Sequence, residues 1–467
     1  MAPPSATSPP PVEANVNTTS GLTKQSAAYV KLWQEKVRGG FAPFPVVLEK
    51  ANNHILTDVD GKEYIDLITQ FAVMNFGYSH PKIVQAVVDQ VQKLPLVNTG
   101  YINPLYARFA ERITAKFGFD SIATMLSGSE AVDAAIKTAR KWAYVKKGIP
   151  ADEAWILTTD RCYHGITLTT MSLSNVIADN FGKHLPHVGP FAPTSKKLIE
   201  YGDLDVLRDT FERDGHRIAA FMIEPIQGLS GTRIPPPGYL HAVQELCHAH
   251  TILFIVDEVQ TGYGRTGTDL AYQHEPHVQP DLVTLGKAVT GGMYPMSVVM
   301  GKAHVMDVLA KYEIASTFGG SPVACAAALA ALDVLEDEGI AGRAQRLGEV
   351  LAGVLEEARA IIYNNTVYCS GSLGIDHTTG KFVDGGAYER TVQALKNLGA
   401  VLEAAGSSLS KTVKVNIFLS SMDYYADVNR AYGEAFTSDP KPCRTCVSVA
   451  KLPLDAEVEI ELVAALG

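Results

Sequence analysis

The chain has 467 residues, 46% apolar and 19% charged, with 40 Lys and Arg against 50 Asp and Glu for a formal charge of −10. These proportions exclude a fully disordered chain, a collagen and a coiled coil, and no uncharged apolar run reaches the roughly 18 residues that a membrane-crossing helix needs. No long basic run stands out, which argues against nucleic acid and anionic membranes as partners. What remains is a large soluble chain of about three domains at roughly 150 residues each, of a kind suited to small-molecule substrates.

Residues 1–28 open with MAPPSATSPPPVEANVNTTS, rich in Pro, Ser and Thr, with no apolar core segment. This stretch reads as a disordered tail and not as a signal or transit peptide, so the cytoplasm is the expected location. From residue 29 to 356, strand-like and helix-like segments alternate. SEAVDAAIKTARKWAYVKKG and GYLHAVQELCHAH read as helices; AWILTTD, AAFMIEPI and TILFIVDE read as strands. The strands are apolar without polar alternation, which predicts burial on both faces of a mostly parallel sheet with helices on either side. Asp333–Glu357 reads as a helix broken near Gly339.

The pattern changes after residue 356. TVYCSGSLGID, a helix over about 388–405, the strand TVKVNIFLS, a helix over about 424–436 and the strands CVSVAK and AEVEIELVA follow. Residues 357–467 are therefore expected to form a separate α+β domain.

Six cysteines in a chain this long make no disulfide framework. Cys443 and Cys446 form a CxxC, but within a strand residues three apart point to opposite faces. No metal site is expected.

Two segments carry the chemistry: FIVDEVQTGYGRTG (254–267) and PDLVTLGKAVTGG (280–292). Each is an apolar strand that ends in an ionisable residue, Asp257 and Lys287, and open α/β sheets bind ligands at the carboxyl ends of their strands. Pyridoxal phosphate chemistry needs this pair: a lysine to bond to the cofactor aldehyde, and a carboxylate to keep the pyridine nitrogen protonated. Ser127-Gly128-Ser129-Glu130 precede a long helix whose N-terminus suits a phosphate. Tyr163-His164-Gly165 offers a ring for stacking, and Ser316-Thr317 another hydroxyl beside a Gly-Gly turn.

The stretches DVDGKEYIDLITQFAVMNFGYSHPKIV, FMIEPIQG, PPGYL, FIVDEVQTGYGRTG, LGKAVTGGMYP and STFGGSP resemble the class III aminotransferases, fold-type I enzymes of which the ornithine aminotransferases are the most similar. The resemblance implies pyridoxal 5'-phosphate held by Lys287, with Asp257 on the pyridine nitrogen, Gln260 on the ring oxygen, and Val259 and Tyr163 on the two ring faces. It implies His164 beside the ring, Gly128 and Ser129 on the phosphate, and Thr317 reaching that phosphate from a second subunit of a homodimer. An amino donor and a keto acceptor would be the substrates. Three positions depart from the ornithine pattern. Ile166 stands where an Arg is expected, Leu229 where a Glu is expected and Phe71 where a Tyr is expected. All three remove charge or hydrogen bonding, which implies a less polar substrate or an amine. The segment that completes the small domain of such enzymes is absent after residue 356.

Residues 358–467 resemble the reactive-intermediate deaminase (Rid) family, on NNTVYCSGSLGIDHTTGKF, LKNLGAVLEAAGSSLSKTVKVNIFLSSMDYYADVNRAYGEAF and PCRTCVSVAKLPLDAEVEIELVA. That resemblance implies a chorismate-mutase-like fold, trimer contacts, Arg444 on a substrate carboxylate and Glu459 positioning water, with Gly371 and Cys446 lining the cleft. The family's Pro-Tyr pair is replaced by Glu356-Glu357. Taken together, the two resemblances imply an aminotransferase coupled to an enamine or imine hydrolase, in specialised metabolism. The alternatives are another pyridoxal phosphate reaction (decarboxylation, racemisation, cyclisation or elimination) and a Rid unit that serves only to assemble oligomers, up to a D3 hexamer.

Overall fold

The computed structural model describes residues 23–39, 44, 46–174, 185–357, 360–377 and 379–466. The chain divides into two compact units, one ending at Arg346 and the other beginning at Leu347. The expected domain boundary near 357 lies at the C-terminal end of the helix Ile340–Glu357, and the division falls inside that helix. Most of the expected N-terminal tail lies outside the described residues. Residues 24–28, however, belong to a helix, Lys24–Lys36, whose cap Thr23 accepts Ser26 N–H. Asp60, distant in sequence, fixes this start by accepting from the hydroxyls of Thr23 and Ser26 at 2.7 and 2.5 Å.

The first unit begins with a small antiparallel sheet, β1 (Leu48–Asn52), β2 (Ile55–Asp58) and β3 (Glu63–Ile65). Its main sheet has seven strands: β4 (Ser121–Met125), β5 (Trp155–Leu157), β6 (Val188–Gly189), β7 (Ile218–Ile223), β8 (Leu253–Asp257), β9 (Leu282–Leu285) and β10 (Ser297–Gly301). They lie in the order β4-β10-β9-β8-β7-β5-β6. The run from β6 to β9 is parallel, and β10 is antiparallel to both β4 and β9. This is the mostly parallel α/β sheet expected from the unalternated apolar strands.

Alternate residues of the central strands feed two cores. Phe221, Ile223, Phe254 and Val256 face a core shared with Val243 and Cys247 of helix α2 (Tyr239–Ala249) and with Ala327 and Leu332 of α3 (Pro322–Asp337). Ala220, Met222, Leu253 and Ile255 face the core built on α1 (Gly128–Trp142). Both faces of the central strands are buried in apolar cores, which leaves the strand ends to carry the polar groups. α4 (Ile340–Glu357) follows α3, the two separated at Gly339 as the sequence suggested.

The second unit holds β11 (Ala360–Tyr363), β12 (Thr366–Ser372), β13 (Thr412–Leu419), β14 (Cys443–Ser448) and β15 (Val458–Ala465), in the order β11-β12-β15-β13-β14. The helices α5 (Ala387–Ala404) and α6 (Tyr425–Ala435) pack on one face around Leu395, Leu398, Val415, Ile417, Val428 and Ile460. Cys443 and Cys446 lie on β14, with Cys443 exposed and Cys446 partly buried, as the odd spacing requires.

Candidate active site

Asp257 is the last residue of β8 and Lys287 follows β9, so the two parallel strands deliver both side chains to one end of the sheet. There they line a cavity of about 140 Å³ with Gly128, Ser129, Tyr163, His164, Gly165, Glu224, Val259 and Gln260. Lys287 carries φ +46°, a left-handed conformation that costs a non-glycine residue roughly 1–2 kcal/mol. Strain of this kind gathers at functional sites. Burial pushes its ammonium below the usual lysine range, against the charges of Asp257 and Glu224.

Asp257 is buried and fully engaged. One oxygen accepts Thr284 O–H at 2.8 Å and Val259 N–H at 3.1 Å; the other lies 2.7 Å from His164 Nδ1. His164 is itself enclosed, with Nε2 3.3 Å from the Thr158 hydroxyl. Burial opposes a charged ring here, but Cys162 and Asp257 outweigh it and hold the imidazole protonated well above its ordinary range. Because Cys162 donates its thiol proton to Leu173 O at 3.0 Å, we assign the effect to Asp257. Glu224, at the end of β7, accepts Tyr163 N–H at 2.9 Å, and burial pushes its carboxyl up to about 7.

At the other end of the cavity Ser127 caps α1 through a reciprocal bond with Glu130, leaving Gly128 and Ser129 at the positive end of a 15-residue helix. Two glycines keep the cradle open. A Cβ on Gly128 would lie 2.7 Å from Val259 Cγ1, and one on Gly165, at φ +116°, would lie 2.2 Å from Ser129 Oγ. A helix N-terminus, an anchored carboxylate, a lysine whose charge burial disfavours and a side-chain-free cradle are the donor set that pyridoxal phosphate requires. Lys287, Asp257, Gln260, Val259, Tyr163, Gly128 and Ser129 would hold it. Among the described residues no group of His, Cys, Asp and Glu could hold a metal ion, and no helix is long and apolar enough to cross a membrane.

The remaining expected residues lie elsewhere. Phe71, Ile166 and Leu229 do not line the cavity and are 45%, 62% and 50% exposed. Ile166 N–H does reach Ser129 Oγ at 3.3 Å. Thr317 is exposed and does not reach its own chain's cavity. Glu224 was not singled out from the sequence, although it lies within the stretch FMIEPIQG, and Gly165 was named there only as part of Tyr163-His164-Gly165.

In the second unit Arg444 pairs across the sheet with Val415, and Glu459 with Phe418. Val415 and Phe418 are three apart on one strand, so Arg444 and Glu459 sit on opposite faces and do not meet within one chain. Arg444 leans on α6, donating to Asn429 Oδ1 and to Tyr425 OH at 3.3 Å, with its guanidinium 4.7 Å from the Tyr432 ring. Burial and the adjacent Glu461 push the Glu459 carboxyl up. Gly371 leaves the space that its side chain occupies.

The sheet and the cavity together define a fold-type I pyridoxal phosphate enzyme. The profile of the aminotransferase class-III family matches residues 38–422, and the chain belongs to that family of pyridoxal phosphate-dependent aminotransferases. The match runs beyond residue 356, where the resemblance read from the sequence ended. The chain is 40% identical over 349 residues to an ornithine aminotransferase of Emericella nidulans, covering 73% of this chain and 77% of that one. It is 42% identical over 334 residues to a mitochondrial ornithine aminotransferase of Arabidopsis thaliana, covering 72% and 69%. An ornithine aminotransferase structure from Toxoplasma gondii aligns with a TM-score of 0.67 at 36% identity, over 74% of this chain and 82% of that one. The acetylornithine aminotransferase of Elizabethkingia anophelis aligns with a TM-score of 0.63 at 34% identity, over 83% and 91%.

Proposed function

We propose that the first unit transfers an amino group from an amino acid or amine to a keto acid, with Lys287 as the group that bonds to the cofactor and carries protons. The observation that supports this most is the convergence of Lys287 and the His164-anchored Asp257 on one cavity beneath the N-terminus of α1. When bound, pyridoxal phosphate supplies an aldehyde that takes the amino group and a ring that accepts electrons. The chain's own residues do the rest. Gly128 and Ser129 hold the phosphate against the helix dipole. Asp257, its two oxygens fixed by His164, Thr284 and Val259 N–H, would hold a proton on the pyridine nitrogen. Lys287, whose ammonium is destabilised by burial, presents an amine able to accept a proton from the substrate carbon and return it.

The relatives are named ornithine and acetylornithine aminotransferases. Ile166, Leu229 and Phe71 stand where the ornithine pattern has Arg, Glu and Tyr, which supports a less polar donor than ornithine, although none of the three lines the cavity of this chain. Decarboxylation, racemisation, cyclisation and elimination use the same lysine and carboxylate. A keto product formed from the donor, with a stoichiometric amino product from the acceptor, supports transamination over these. Thr317, exposed on its own chain, suits a homodimer in which it serves the partner's cofactor.

For the second unit we propose Rid-type hydrolysis of enamines or imines released by the first. Its independent core and its sheet backed by two helices support the reading. Because Arg444 and Glu459 face opposite sides of the sheet, a cleft using both needs neighbouring copies. This suits trimer contacts and raises the local concentration of the unit around its source. Ammonia release that falls in Arg444→Ala, with the amino-transfer rate intact, tests the coupling; an unchanged profile leaves the unit with an assembly role alone.

A further inference from the structure

Arg265 lies in the segment that carries Asp257, Val259 and Gln260, and neither the motif reading nor the cavity lining gives it a task. It is half-buried. Nη2 donates to Thr69 Oγ1 at 3.3 Å and to Asn75 Oδ1, while Nε is buried without a hydrogen-bond partner. Burial disfavours its charge, and among the described residues no acidic side chain offsets the cost. Arg112, Arg217 and Arg233, also partly buried, each reach a carboxylate. A partly buried guanidinium with an idle N–H and no anion is a costly arrangement that an incoming anion relieves.

Its position says which anion. Thr69, Gln70, Phe71 and Ala72 have φ of 51, 51, 57 and 68°, a left-handed turn of four non-glycine residues. Asp66 holds the turn by accepting Ile68 and Thr69 N–H at 2.9 Å, and Arg265 holds it through Thr69. Asn75, just beyond, donates to Tyr263 O at 2.9 Å. Between them Met74 packs so closely on the turn after Lys287 that a Cβ on Gly292 would lie 2.4 Å from its sulfur. Arg265 is thus fastened, through Asn75 and its neighbour Met74, next to the turn that follows Lys287, and its charge is among those felt at Lys287. The basic residues lining the cavity itself are Lys287 and His164, and both are committed.

We propose that Arg265 binds the carboxylate of an amino acid donor, taking over the task that an arginine at the place of Ile166 would perform. The inference rests on the aminotransferase reading above and sharpens its donor to an amino acid over an amine. Planar guanidinium suits the role, because the unpartnered Nε can donate to one carboxylate oxygen while Nη2, on the same edge, exchanges its 3.3 Å bond to Thr69 for the other.

The test uses the cofactor-bound protein, its Arg265→Met and Arg265→Lys variants, and a panel of α-amino acids each paired with its decarboxylated amine. Arg265→Met is expected to lower kcat/KM for amino acids about 10- to 100-fold, mainly through KM, and to leave the amines within about threefold. Arg265→Lys is expected to fall between. Calorimetry with 4-methylpentanoate, an unreactive carboxylate, is expected to show binding to the wild type that Arg265→Met loses. A fall of equal size for acids and amines assigns Arg265 to fastening the left-handed turn and overturns the proposal. So do unchanged acid kinetics, a wild type that prefers amines, and carboxylate binding that is absent or survives the substitution. Failure of the aminotransferase reading is distinguishable, because it shows as a missing cofactor absorbance band in the wild type.

Discussion

His164 Nδ1 lies 2.7 Å from Asp257 Oδ2, with both side chains buried and 93 positions apart in sequence. Thr284 and Val259 N–H occupy the other oxygen, so the carboxylate is fixed before any cofactor arrives. Replacing His164 with Phe removes a charge-assisted hydrogen bond of about 1.5–3 kcal/mol. The expected outcome is a loss of roughly 10- to 100-fold in kcat or cofactor affinity. Steady-state kinetics alongside a cofactor titration check it, and unchanged values in both contradict the role.

Gly165→Ala places a Cβ against Ser129 Oγ at a φ of +116°. Ser129 must move or the turn must open, and either disturbs the cradle proposed for the phosphate. Cofactor affinity of the apoprotein is expected to fall at least about tenfold, the equivalent of 1.4 kcal/mol. Fluorescence titration with pyridoxal phosphate measures this, and an unaltered dissociation constant contradicts it.

Glu224 is an acid whose pKa rises from 4.5 to about 7 on folding, chiefly by burial. Between those values the folded chain holds a proton that the unfolded chain has released, so this group's contribution to stability falls as pH rises through the window and is flat above it. The apoprotein's Tm minus that of Glu224→Gln is therefore expected to decline from pH 5 to pH 7.5. Glu258, also pushed up to about 7, is common to both proteins and cancels. A difference independent of pH contradicts the assignment.

Lys147 ends a π-helical turn, Ala143–Lys147, and donates to Gly215 O, Ile218 O and His250 O at 2.8, 2.8 and 3.0 Å. It ties the start of β7 to the end of α2, and so helps place Glu224. Burial draws its pKa down to about 8. Lys147→Met leaves three carbonyls without this partner, and a loss of about 2–4 kcal/mol in urea unfolding is expected. A change under about 0.5 kcal/mol contradicts it.

Asp257 and Lys287 were legible because each ends a strand too apolar to tolerate a charge anywhere but at its tip. The helices were legible from their apolar periodicity, and the capped start of α1 from Ser127 and Glu130. What could not be read depends on pairs distant in sequence. The sequence offers His164 as a candidate cofactor residue but not its bond to Asp257, and it does not show that no acid among the described residues offsets the charge of Arg265. The turn at Thr69–Ala72 contains no glycine to announce its left-handed backbone. The helix start at Lys24 depends on Asp60. The resemblance to the Rid family points to Arg444 and Glu459 without showing that β13 sends them to opposite faces.

Absorbance of the purified protein, mixed with amino donors in the presence and absence of a keto acid, addresses the central assignment. The wild type is expected to show a cofactor band that an amino donor bleaches and a keto acid restores, with Lys287→Ala retaining cofactor but failing to cycle. A wild type that shows no such band even after pyridoxal phosphate is added, or a Lys287→Ala protein that cycles at the wild-type rate, would contradict it.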